Sequence, residues 1–227
     1  MTSALFDTSA ARPPHPAAFN LAVLDAIRVL LGHAGLGPGA SILDPFAGVG
    51  GVHWLGRCGY RSWGIELRPR WAVAHRSTIV GSALALPFPD GSFDAIVTSP
   101  CYGNRFADHH NARDGSIRHS YHHDYGEPFG HTDDAGVLHW GERYRQLHPR
   151  AWSEARRVLR PGGVFVLNVK DHDRGGVRQR VTDWHLDSLA GLGLAVSESV
   201  EMDTGGLRFG ANRDRYPEGC WLLRDGS

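Results

Sequence analysis

The eleven residues from Ser41 to Gly51, SILDPFAGVGG, constrain this chain more than any other stretch. A short apolar run ends in an acid, a proline stops any continuation of the strand, and closely spaced glycines follow ahead of a predicted helix. Glycine tolerates positive φ and lets a backbone approach a ligand closely, so a strand that ends this way carries a small-molecule site on its lip, although ordinary tight turns share the pattern. A second predicted strand, Ser62 to Glu66, ends in a carboxylate 18 residues after Gly48. Nucleotide-binding α/β folds place an acid for ribose hydroxyls about 20 residues beyond the glycine turn, so Glu66 is the expected ribose ligand.

A third strand, Phe93 to Thr98, follows the turn Pro89-Asp90-Gly91-Ser92 and delivers Ser99-Pro100-Cys101-Tyr102 to the same carboxyl edge as Gly48. Ligands of open α/β sheets bind along that edge, so the two motifs are expected to face each other across one cleft. The chain of 227 residues is long enough for one buried α/β domain and short for two. The expected organisation is a loose Ser/Ala/Pro-rich arm over residues 1–14 and a single domain over residues 15–227. No apolar run approaches the roughly 20 residues of a membrane helix. The N-terminus lacks a basic-then-apolar design, so a cytoplasmic location is expected.

Cys58, Cys101 and Cys220 are far apart and form no CxxC pair, which argues against a disulfide framework or a cysteine zinc site. Formal charge is zero, yet 23 of the 24 basic residues are arginine, the side chain suited to forked contacts with phosphate and guanine. Composition therefore neither demands nor excludes a nucleic-acid partner.

Residues from Phe19 to Leu31 carry the spacing of a helix with a broad apolar face, stopped by the breakers between Gly32 and Gly39. Further helices are predicted from about Val49 to Cys58, Pro69 to Thr78, Tyr144 to Leu159 and Arg180 to Leu192. Strands are predicted at Val164 to Val169, Ala195 to Val200 and Cys220 to Leu223. Residues 103–141 break every periodicity and hold many of the histidines, with Asn104, Arg105, Tyr121 and Tyr125. Histidine and aspartate there are metal-capable, but no regular ligand spacing accompanies them, so no metal is expected and the segment reads as a lid or target-reading loop. A polar loop from Gly205 to Arg215 holds three arginines, either a solvated turn or a phosphate contact.

Asp44-Pro45-Phe46-Ala47-Gly48-Val49-Gly50 paired with Ser99-Pro100-Cys101-Tyr102 resembles the S-adenosylmethionine-dependent amino-methyltransferases of DNA. In that family Asp-Pro-Phe-x-Gly-x-Gly binds the cofactor and Ser/Asp/Asn-Pro-Pro-Tyr/Phe holds the base; Cys101 stands here in place of the second proline. The resemblance implies an α/β class I methyltransferase (Rossmann-like) fold, a mostly parallel seven-stranded sheet with helices on both faces and an antiparallel edge strand. It also implies S-adenosyl-L-methionine as cofactor, S-adenosyl-L-homocysteine as product and DNA as partner. Cofactor contacts are expected from His15 and Phe19 of a His-Pro-x-x-Phe element, from Asp44, Pro45, Phe46, Gly48, Gly50, Glu66 and Leu67, and from Ser82, Ala83, Leu84 and Ser99. The family usually has Asp after the glycine of its third element, accepting from the adenine amino group; Ser82 occupies that place, and Leu86 is a further candidate for adenine contact.

Ser99 Oγ and the Pro100 carbonyl are the expected acceptors for the two protons of an exocyclic amino group, which favours the pyramidal form of a poor nucleophile. Tyr102 offers a face for stacking an extracted base, and Cys101, Asn104, Arg105, Arg208 and Arg213 are candidate substrate contacts. Ser at the position of Ser99 goes more often with cytosine N4 than with adenine N6 in the family. A Pro-Cys pair also occurs in cytosine-C5 enzymes, where the thiol attacks the ring. An RNA or protein methyltransferase of the same fold, or a silent cofactor-binding module, remain the alternatives.

Overall fold

Alternation along the central strands sets the architecture. In β1 (Ser41–Asp44) the fully buried Ile42 and Leu43 join different apolar clusters on opposite faces of the sheet. The same split recurs in β4 (Phe93–Thr98), where Ala95 and Val97 oppose Ile96, and in β5 (Leu159–Val169), where Val164 and Val166 oppose Phe165 and Leu167. Strands apolar on both faces must be covered on both, as buried parallel strands are. The computed structural model describes residues 19–101, 103, 132–138, 140–174, 177–202 and 216–226.

With β2 (Arg61–Glu66), β3 (Thr78–Val80), β8 (Leu194–Met202) and β9 (Glu218–Asp225), these strands form a seven-stranded sheet in the order β3-β2-β1-β4-β5-β9-β8. β1 to β5 pair in parallel, and β9 runs antiparallel to both β5 and β8. The expected antiparallel strand is therefore present, lying between β5 and the edge strand β8.

One face is covered by α1 (Leu21–His33). Asn20 caps it by accepting from the Val23 N–H at 2.8 Å, and Val23, Ile27, Leu30 and Leu31 turn inward at helical spacing. The other face is covered by α3 (Glu142–Val158), which buries Tyr144, Leu147, His148, Ala151, Trp152, Ala155 and Val158, and by α4 (Val181–Ala190). No helix of the described residues is long and apolar enough to cross a membrane.

Two local expectations are corrected, and one element is added. The helix after the glycine turn is a 3-10 helix confined to Gly51–Cys58. The helix expected from Pro69 to Thr78 stops as α2 (Pro69–Ala72), and Thr78–Val80 is instead β3, paired with Gly64, Ile65 and Glu66. A Thr-Ile-Val run suits a strand, where β-branched side chains are not crowded by a preceding turn. A hairpin of β6 (His172–Arg174) and β7 (Val177–Gln179) was not anticipated.

Candidate functional site

Parallel strands that all point the same way bring their carboxyl ends to one edge, and the order β3-β2-β1-β4 places the ends of these strands side by side there. The β1 end carries the glycine turn. Gly48 and Gly50 adopt φ of 53° and 79°, which glycine alone takes up freely. A side chain at Gly51 would place its Cβ 2.6 Å from the Phe19 ring, so the missing side chain lets Phe19 close against the turn.

Asp44 is 1% exposed, and its Oδ1 accepts from the Phe46 N–H at 2.9 Å and from the Thr98 hydroxyl at 2.7 Å. This carboxylate therefore ties the start of the glycine turn to the end of β4, directly before Ser99. Burial pushes its pKa up to about 7 against those two bonds, with the neighbouring Glu66 charge adding to the rise. Glu66, at the end of β2, accepts from the Gly48 N–H at 2.9 Å through Oε2 and from the Arg68 N–H at 2.8 Å through Oε1. Burial again dominates, raising Glu66 to about 7, while both backbone bonds oppose the shift. Each oxygen keeps a second lone pair, so Glu66 can brace the turn and still accept from a ligand hydroxyl.

The opposite wall is held without charge. Trp152 Nε1–H can only donate, so at 3.1 Å it fixes His185 Nδ1 as the acceptor. The proton then sits on His185 Nε2, which donates to Tyr144 Oη at 2.9 Å, and Tyr144 O–H donates to the Cys101 carbonyl at 2.5 Å. All three side chains are fully buried, and burial keeps His185 well below its ordinary pKa and neutral. A directed chain of hydrogen bonds from α3 and α4 thus ends on the backbone of the Ser99-Pro100-Cys101 segment. Beside it, His148 stacks on Phe46 at 5.7 Å between ring centres, and burial lowers its pKa to about 4. Its Nδ1 donates to the Tyr144 carbonyl, and its buried Nε2 has no hydrogen-bond partner among the described residues.

Phe19, Asp44, Pro45, Phe46, Gly48, Glu66, Leu67, Ser82, Ala83, Leu84, Ser99, Pro100 and Cys101 all line a single cleft along this edge. Gly50 does not: a side chain there would run into His53 and His75, and Gly51 takes its place on the wall. Leu86 is likewise off the wall, buried in the core. His15, Tyr102, Asn104, Arg105, Arg208 and Arg213 lie outside the described residues, as does the histidine-rich part of the loop. Among the described residues no group of three or more metal-capable side chains comes together.

Residues 132–138, within the expected lid, form part of the cleft wall. A short 3-10 turn, Ala135–Val137, is capped by Asp134, which accepts from the Gly136 N–H at 2.9 Å and pairs with Arg68. Asp133, Asp134 and Arg68 line the cleft, and none was foreseen. Asp134-Ala135-Gly136 does carry a local signal, an acid ahead of a small-residue turn, but nothing in it announces a partner 66 residues away. Ser82, on the cleft wall as expected, also has partners of its own. Its Oγ accepts from the Leu84 N–H at 3.2 Å and donates to Asp133 Oδ2 at 3.0 Å, which commits its proton and leaves one acceptor lone pair.

No protein-family model matches the chain, and neither does any curated protein sequence. Solved structures do. A protein of Galdieria sulphuraria described as a sarcosine dimethylglycine methyltransferase superposes with a TM-score of 0.57 at 14% identity, covering 89% of this chain and 84% of its own. The fold is that of the class I methyltransferases. The 1,6-didemethyltoxoflavin-N1-methyltransferase of Burkholderia thailandensis, solved with 1,6-didemethyltoxoflavin and S-adenosylhomocysteine, gives 0.51 at 18% identity over 91% and 79% of the two chains. A Haloferax volcanii protein solved with the Trm112 methyltransferase activator gives 0.56 at 15% identity, covering 89% of each. At such identities the likeness extends to the fold, and one class I fold hosts many substrates.

Proposed function

We propose that this chain is an S-adenosylmethionine-dependent methyltransferase acting on an exocyclic amino group of a DNA base, cytosine N4 in preference to adenine N6. The observation that carries the reading is the juxtaposition across one cleft of the Glu66-braced glycine turn and the Ser99-Pro100 segment. The residues present suit the cofactor: Glu66 retains acceptor capacity for two ribose hydroxyls, Gly48 carries the turn at a positive φ on the cleft wall, and Phe46 and Phe19, the latter packed on Gly51, supply apolar walls. S-adenosylmethionine supplies an electrophilic methyl group when bound. The bound S-adenosylhomocysteine of the Burkholderia thailandensis enzyme supports this choice.

The protein's contribution is alignment. Ser99 Oγ and the Pro100 carbonyl accept from the two amino protons, proline restricts the backbone that aims the carbonyl, and the amino lone pair is left pointing into the cleft. Orientation of this kind supplies several kcal/mol of barrier lowering, on the order of 7–11 in well-aligned systems. Tyr102 is proposed to stack the extracted base, with Asn104, Arg105, Arg208 and Arg213 contacting the strand.

The named substrates of the similar structures favour a second reading, methyl transfer to a small molecule. Incubation of the full chain with methyl-labelled S-adenosylmethionine and duplex or single-stranded DNA, digestion to nucleosides and mass identification decides between them. N4-methylcytosine is the expected product, lost in Ser99→Ala. N6-methyladenine, or 5-methylcytosine that disappears in Cys101→Ala, overturns the choice of base. Label entering RNA, protein or a small-molecule fraction and never DNA overturns the choice of polymer.

A further inference from the structure

α3 carries five arginines, and they divide by position. Arg156 pairs with Asp225, Arg157 pairs with Glu154 and Asp90 and donates to the Leu86 and Phe88 carbonyls, and Arg145 lies over the Trp140 ring. Arg143 and Arg150 have no ion pair or hydrogen bond among the described residues. They stand two turns apart on one face of the helix, with Gln146 and Leu147 between them, and border a cavity of about 310 Å³ whose apolar lining is Leu84, Leu138 and Leu147. The same helical face continues to Glu154 and Arg157, where bonds to the Leu86 N–H and carbonyl close the groove between α3 and the stretch after β3. At the other end the two arginines are bonded to no carboxylate: Asp133, the acid on that wall, has Ser82 and Thr132 among its partners.

We infer that this groove seats two phosphates of the DNA strand that carries the target base, with Arg143 and Arg150 as the contacts. Leu84, Asp133 and Leu147 line both the groove and the cleft, so a strand with one base in the cleft can lay its backbone in the groove beside it. Guanidinium forks match phosphate oxygens in pairs, and Gln146, whose amide donates one proton to Glu142, keeps a second for a neutral contact between them. Seven helical residues span about 10 Å, farther than one phosphate group, which suits neighbouring phosphates of a strand better than a single free one. Asp133 repels an anion from the cleft side and so confines the backbone to α3. Because the chain as a whole is formally neutral, no net field draws a polyanion in, and attraction has to come from local groups such as this pair.

The inference rests on the proposed DNA substrate, and binding measured against salt separates the two. Fluorescence anisotropy follows a labelled single-stranded DNA oligonucleotide on the full chain, for wild type, Arg143→Gln, Arg150→Gln and the double variant. Each lost phosphate contact is expected to lower the slope of log K against log salt by about 0.7, and the double variant by about 1.4, equally for every oligonucleotide sequence. S-adenosylhomocysteine affinity in calorimetry and the melting temperature are expected to stay at wild-type values, because neither arginine has a bonded partner among the described residues. In methylation assays the double variant is expected to raise KM for the strand with kcat unchanged. Arg145→Gln removes the same charge from another face of α3 and is expected to keep the wild-type slope. An unchanged slope in the double variant overturns the assignment, and so does an equal drop in Arg145→Gln, the mark of a diffuse field without a seat. Inorganic phosphate that binds wild type and not the double variant in calorimetry, with the strand slope unchanged, makes the groove a seat for a small free anion and overturns it too. A wild type that binds S-adenosylhomocysteine but no oligonucleotide overturns the DNA reading along with it.

Discussion

The two walls of the cleft are built by opposite means. Toward β2, Asp44 and Glu66 are buried carboxylates whose bonds to backbone N–H groups only partly offset the cost of removing them from water, so both titrate near neutrality. Toward β4, the lining at Cys101 is held from behind by Trp152, His185 and Tyr144, which are neutral and joined in one directed chain of hydrogen bonds. The contrast separates adjustable from rigid. A carboxyl group that changes charge near pH 7 can strengthen its hold on a hydroxyl-bearing ligand, whereas a neutral relay holds one backbone geometry whatever the pH.

The sharpest way to break the comparison is Tyr144→Phe. It leaves the Cys101 carbonyl and the His185 Nε2–H without their partner in a fully buried setting, and the expected loss is about 2–4 kcal/mol of stability by urea denaturation. That loss should not vary between pH 6 and 8, because nothing in the relay titrates there; a strong pH dependence would contradict the neutral assignment. Next in size is Glu66→Ala, expected to weaken S-adenosylmethionine binding by about 1–3 kcal/mol, with wild-type affinity in calorimetry as the contrary result.

Proton linkage is a subtler probe of the same wall. The folded-state values of Asp44 and Glu66 lie above those of an unfolded chain, so the folded protein holds more protons in between. Their contribution to stability is present below about pH 4 and is lost as pH rises through about 7. Ligand hydroxyls favour the ionised carboxylate, so binding near pH 6.5 should release protons, seen as a dependence of the calorimetric heat on buffer ionisation enthalpy. Glu66→Gln should reduce that release; an unchanged release would remove Glu66 from the ligand. The smallest expected effect is that of Cys101→Ala. The relay uses only the backbone carbonyl of that residue, so stability should change by less than about 1 kcal/mol and amino-group methylation should survive.

The elements legible in advance share one property: their signal is local. Phe93–Thr98 falls at its predicted bounds because a turn, an apolar alternation and a proline delimit it within a few residues. Asp44, Gly48 and Glu66 were readable because a strand end and a spacing along one chain segment announce them. Thr78–Val80 is not legible although its β-branched run is local, since Trp71, Ala72, Ala74 and His75 read as faces of a longer helix and the deciding partner is β2. The 3-10 form of Gly51–Cys58 escaped notice for a related reason, as helical spacing does not distinguish the tighter turn.

What the sequence determined by itself was therefore the edge: which strands end in acid, glycine or Ser-Pro, and hence that a cleft lies along their carboxyl ends. What only the tertiary structure decided was who stands opposite. Asp133 meets Ser82 across 51 residues, Tyr144 meets Cys101 across 43 and His185 meets Tyr144 across 41, and no periodicity in the intervening chain encodes those meetings. Each depends on how helices and loops far apart in the chain come together on the sheet, and the pairing of a buried donor with an acceptor becomes a requirement only once packing has excluded water.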